Sequence, residues 1–155
     1  MKYLLSGLFS LALFVGPLSG WAQKMPPPVG QQDPFRPRLF QDLPDNLPLR
    51  TGVLQPLLRL QAGQTVQIPL SDRFTFEGIV SSSVSKYHGV LRTVVIRCTN
   101  RPGAGFTLSE RTAPDGSVVF AGRIVSFQAG DCYELKQEQG TYVLVKRNFY
   151  DMVND

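Results

Sequence analysis

The feature that most constrains this chain is a period of two. From residue 57 onward, apolar residues recur at alternate positions in short runs, with a turn signal about every ten residues. In "FTFEGIVSSSV", Phe74, Phe76, Val80 and Val84 share one parity with Gly78 and Ser82, and Thr75, Glu77, Ile79, Ser81 and Ser83 take the other, so one face is mostly apolar and the other mostly polar. That is the pattern of a half-buried strand. "LRLQAGQTVQIPL" reads as a strand, an Ala62-Gly63 turn and a second strand, with Pro69 marking an edge or a strand end. "VLRTVVIRC" and "GFTLSER" continue the series. Ala113-Pro114-Asp115-Gly116 is a strong turn signal. "SVVFAGRIVSF" is apolar on both parities, which predicts a central strand. "CYELKQEQGTYVLVKRNF" predicts a hairpin turning near Gln139-Gly140, and "FYDMVND" a single helical turn.

These runs predict an all-β domain of about seven short strands, with no amphipathic helix and no internal repeat. The expected architecture is an antiparallel sandwich or a small, partly open barrel. The β domain is expected to span residues 57–155.

The chain before residue 57 differs. Lys2, an apolar run to Leu18 broken by Gly16-Pro17, and Gly20-Trp21-Ala22 have the form of a signal peptide over residues 1–22. The run is too short for the roughly 20 apolar residues of a spanning helix. A secreted or periplasmic location is expected, with no membrane span after cleavage. Residues 23–56 then hold eight of the twelve prolines. Proline fixes φ and removes an amide donor, so this segment reads as an extended, Pro-rich N-terminal arm without helix or central strand. The arm also carries Phe35, Leu39, Phe40, Leu43, Leu47 and Leu49. These six either wrap the domain or face a partner, and exposed apolar anchors favour wrapping.

Few chemistries fit the remaining residues. His88 is the only histidine, and it follows Ser81, Ser82, Ser83 and Ser85. A Ser–His mechanism needs an oriented base, a third group and oxyanion donors, and no Gly-x-Ser-x-Gly elbow is present. His88 is therefore read as a turn residue beside Gly89, and no catalytic residue is assigned. Cys98 and Cys132 lack the close-spaced partners of a zinc site. Neither a metal nor a cofactor is implied. As the only cysteine pair in an exported chain, they are expected to form a disulfide, although Cys132 shares parity with outward-looking Glu134 and Lys136.

Binding fits better. The net charge of +4 comes from dispersed residues, eleven of them arginines, and does not call for nucleic acid. Arg97, Asn100, Arg101, Arg111 and Arg123 lie on or beside adjacent strands and could gather into a surface for an acidic protein or a glycan at the cell envelope. With Phe35 and Phe40 they form the expected binding set. The function expected is a non-catalytic interaction module. The alternatives are a hydrolase using Glu77, Glu110 or Glu134, and a barrel carrying an apolar ligand.

Overall fold

The computed structural model describes residues 38–126 and 128–148. Residues 1–22, where a signal peptide is expected, Phe35 and the tail after Asn148 lie outside these residues. The chain folds as an all-β protein with eight antiparallel strands in one nearly closed, barrel-like sheet. The strands are β1 (Asn46–Leu49), β2 (Thr65–Ser71), β3 (Phe74–Lys86), β4 (Leu91–Cys98), β5 (Ala104–Thr112), β6 (Val118–Ser126), β7 (Asp131–Glu138) and β8 (Thr141–Asn148). β2 to β8 form a meander, each strand pairing with the next, and β1 pairs with β8. β1 and β2 are thus the two ends of the sheet, and they come into contact.

The turns follow their sequence signals. Gln139 and Gly140 both take positive φ (49° and 80°), the conformation that a two-residue hairpin requires. Asp115 accepts hydrogen bonds from the Ser117 amide and hydroxyl, which fix the β5–β6 turn. Alternation then does the packing. Phe76, Val94, Ile96, Phe106, Leu108, Ile124, Tyr133 and Leu144 point inward and are buried in one core. Gly78 faces the same core because nothing larger fits: a Cβ there would lie 2.5 Å from Ile96 Cγ2.

The eighth strand comes from the segment read as an arm. Phe40, Leu43, Leu47 and Leu49 are buried in the barrel core. β1 holds Pro48 because it is an edge strand, where a missing amide costs no ladder bond. A short helix, α1 (Thr51–Leu57), follows, contrary to the expectation of an extended segment. It forms because Leu54, Leu57 and Leu58, spaced three and four apart, share one buried face. Pro56 lacks the amide that would bond back one turn, which helps keep the helix short. The strand expected at residues 58–61 is thus the turn that follows α1.

The structure also corrects the disulfide. Cys98 and Cys132 are not bonded to each other. Cys98 faces the barrel core with Val94 and Ile96. Cys132 pairs with outward Val125 and Arg147 on the opposite face of the sheet, and β5 and β6 separate the two strands. Two cysteines on opposite faces cannot meet the geometry of a disulfide. Burial pushes both thiols up, that of Cys132 to about 11.

Candidate functional site

The expected binding residues divide between two regions. Arg101 and Phe40 belong to a clasp that fixes the N-terminal segment, and Asn100, next to Arg101, braces β3 against β4. Arg101 donates two hydrogen bonds to the Asp42 carboxylate and one to the Leu39 carbonyl, and its guanidinium lies 4.7 Å from the centre of the Phe74 ring. That guanidinium holds the Asp42 carboxyl below its ordinary value. The Phe40 amide donates to Asp131 Oδ2 at 2.9 Å, and its ring packs 5.6 Å from that of Tyr133. The Tyr133 hydroxyl donates to the Pro44 carbonyl, and Lys146 Nζ donates to the Leu43 carbonyl. Burial drives the Tyr133 phenol upward.

Asn100 extends the β3–β4 ladder with its side chain. It donates to the Thr75 carbonyl at 2.7 Å and accepts from the Glu77 amide and the Cys98 thiol. These residues hold the fold. Sequence reasoning missed the clasp partners Asp131, Tyr133 and Lys146, since each lies about 90 to 100 residues from its partner in the segment.

Arg97, Arg111 and Arg123 share another surface. All three are exposed, on β4, β5 and β6, and register places them on the outward face. Arg97 stands opposite Gly105, Arg123 opposite Thr107, and Arg111 between Leu91 and Val119. The other outward positions on β5 are Gly105, Thr107 and Ser109, and on β6 Val119, Ala121 and Val125. No carboxylate occupies an outward position of these three strands. Glu110 points to the other face, towards Arg92.

This surface ends in an uncovered strand. β2 pairs with β3 only as far as Ile79, and β7 pairs with β6 only from Arg123 onward. Beyond those rungs β3, β4, β5 and β6 continue as a four-stranded sheet. Among the described residues, Ser81–Lys86 on one side and Val118–Ala121 on the other have no outer strand. "SVVFAG" was expected to be central. Only its continuation after Gly122 is, which leaves Val118 and Val119 exposed at 41% and 49%. The Phe120 amide faces the missing partner and donates to the Tyr142 hydroxyl at 3.1 Å. The Phe120 and Tyr142 rings meet edge to face, 5.4 Å apart.

The serine and histidine question resolves within this sheet. Tyr87, His88 and Gly89 form the β3–β4 turn with successive positive φ values of 53°, 54° and 92°. His88 is exposed there. Ser81, Ser82, Ser83 and Ser85 line the free side of β3, and the Ser81 hydroxyl donates to the Val95 carbonyl.

The carboxylates do not converge. Glu77 accepts from Gln67, Glu110 faces Arg92, and Glu134 is paired with Lys136 and Arg147. Among the described residues, no three acidic, Cys or His side chains gather as metal ligands. A hollow of about 460 Å³ is bordered by Thr65, Val66, Gln67, Glu77, Gly78, Ile79 and Thr99, away from the arginines. The interior itself is packed with large side chains, as small barrels usually are.

Fold and surface together define a small antiparallel β-barrel module with a cationic outer face beside an open strand edge. Comparisons with protein-family models, curated proteins and solved structures returned no match. The functional reading therefore rests on this chain alone.

Proposed function

We propose that the protein is an exported, non-catalytic interaction module that binds a partner protein through the outward face of β4 to β6. The observation that carries this reading is the coincidence of Arg97, Arg111 and Arg123 with exposed Val119 on the outward face of β4 to β6, three strands that carry no outward carboxylate of their own, with Glu134 of β7 opposite Arg123 at the margin. Exposed apolar groups ringed by one sign of charge are the usual make-up of a docking surface. The clasp and the filled core make the barrel a scaffold, and positive φ at Tyr87, a bulky residue, marks the hairpin tip as strained. Export rests on the pattern of residues 1–22.

Two experiments test this. Intact mass of the chain recovered outside the cytoplasm should begin at Gln23; a chain retaining residues 1–22 would overturn export. A photo-crosslinker placed at Thr107 and, separately, at Gln61 is then exposed to the exported proteins of the source cells. A discrete adduct from Thr107 alone, lost in the Arg97→Ser, Arg111→Ser, Arg123→Ser variant, is expected. Equal labelling from both positions, or an adduct indifferent to the arginines, would refute the surface.

A further inference from the structure

We infer that the partner contributes an extended segment of alternating acidic and apolar residues, which pairs with the free edge of β6. The inference rests on the proposed docking face and specifies what that face binds.

Backbone direction comes first. The Phe120 amide and the Ser126 carbonyl both point to the β7 side, the latter accepting from Gly130. Direction alternates along a strand, so Val118 also turns its amide and carbonyl to that side. There β7 supplies no rung before Glu134, opposite Arg123. The Tyr142 hydroxyl stands where an incoming strand's carbonyl would accept from Phe120. A backbone edge of this kind is a template for an added strand.

Side chains then set the chemistry of the occupant. An added strand presents alternate residues to the two faces of the sheet. Its inward residues would meet Val118, Phe120 and the Tyr142 ring, which are apolar. Its outward residues would lie beside Val119 and Ala121, with Arg111 one strand further in and Arg123 two residues along β6. Neighbouring strands are about 5 Å apart, so an outward carboxylate would lie within reach of both guanidinium groups. A second copy of this chain would bring Val119 and Ala121 to those positions and leave the arginines unanswered. Charge complementarity therefore selects an acidic segment over self-pairing.

The test uses the chain from Gln23 and a short, N-acetylated, C-amidated peptide alternating Glu and Val. Two matched peptides carry Gln or Lys in place of Glu, and a third carries N-methyl groups on alternate residues of the Glu form. Amide protection and chemical shifts report the binding site. The Glu peptide is expected to protect the Val118 amide and to shift Val119 and Ala121. The N-methylated peptide should fail. Removing Arg111 and Arg123, both to Ser, should weaken binding about tenfold, two exposed ion pairs at about 0.7 kcal/mol each. The Gln peptide should bind as weakly to the parent as the Glu peptide does to that variant, and the Lys peptide more weakly still. Val118→Pro, which removes the amide that the peptide would accept from, should abolish the peptide-induced shifts at Val119 and Ala121 without disturbing the β5 ladder, since that amide points to the open side and not to β5.

Each other result is decisive. Shifts around Arg97, Arg111 and Arg123 with no protection at Val118, and indifference to N-methylation, would refute strand addition and leave the docking face standing. Equal binding of the Glu, Gln and Lys peptides would refute the acidic partner. Val118 protection that grows with protein concentration alone would show self-pairing and overturn the inference. No binding of any peptide overturns it as well. In that case a Thr107 adduct that needs the arginines would still support the face.

Discussion

The two free edges of the four-stranded extension are built oppositely. The β3 edge carries Ser81, Ser82, Ser83 and Ser85 around a single exposed apolar residue, Val84, ends at Lys86, and is interrupted by a register shift between Val80 and Ser82. Polar side chains, a terminal lysine and a bulge are the devices by which proteins discourage edge pairing. The β6 edge carries Val118, Val119, Phe120 and Ala121, with no charge before Arg123. Among the described residues, the group that occupies it is the Tyr142 hydroxyl. A chain avoiding aggregation would blunt both edges. Blunting one alone points to use of the other, and the arginines lie beside the apolar one.

The comparison also separates residues that carry stability from residues that carry contact. The largest expected effect lies in the clasp. Tyr133→Ala removes a buried ring packed on Phe40 and the hydrogen bond to Pro44, and should cost about 3–5 kcal/mol in a denaturant titration. Arg101→Ala should cost about 2 kcal/mol. It loses charge-assisted bonds and the stack on Phe74, discounted because Asp42 is largely exposed to solvent. A smaller cost from either variant than from an edge substitution would break the division.

Tyr142→Phe sharpens it. The Phe120 amide loses its acceptor, which should cost about 1–2 kcal/mol, while the edge becomes easier to enter and peptide binding tightens. Loss of stability with no gain in binding would mean that the hydroxyl only supports the core. Exchanging edge character, with Val119→Ser and Ser83→Val, should change stability least, by under about 0.5 kcal/mol each. Val119→Ser should weaken partner contact, and Ser83→Val should promote self-association by removing one of the blunting serines.

Cys132 supplies a pH test of the outward face. Its folded value, near 11, lies above its ordinary 9.0, so the folded state holds the proton more tightly. That contribution is fully present below pH 9 and is lost as pH rises toward 11. Cys132→Ala should flatten this part of the stability profile relative to the parent. In denaturant without reductant, both cysteines should alkylate; a mass showing neither alkylated would restore the disulfide.

The barrel was legible in the sequence because period two, turn residues and β-branched runs all act locally. Gln139-Gly140 and Pro114-Asp115-Gly116 marked hairpins that the structure contains. What acts at long range was not legible. Prolines obscured β1 and α1, since Pro48 is harmless only because β1 is an edge, and that depends on pairing with β8. Parity places Cys132 outward, as the structure has it, whereas an oxidising compartment permits a disulfide without bringing two cysteines to one face. Arg101 looked like its neighbours in sequence, and only contact with Asp42, Leu39 and Phe74 separates it from Arg97. The open edge of β6 was hidden because "VVFAG" has the composition of a central strand. Its exposure follows from where β7 diverges, which no local pattern encodes.

Amide hydrogen exchange along β6 tests the central claim most directly. In the unliganded chain, Val119 faces β5 and Ile124 faces β7, so both amides should be protected. Val118 faces the open side and should exchange far faster than Val119, its neighbour. Simple fraying of the strand end would release the two together. Protection of Val118 equal to that of Val119 and Ile124 would show that the edge is already covered, and would contradict the account.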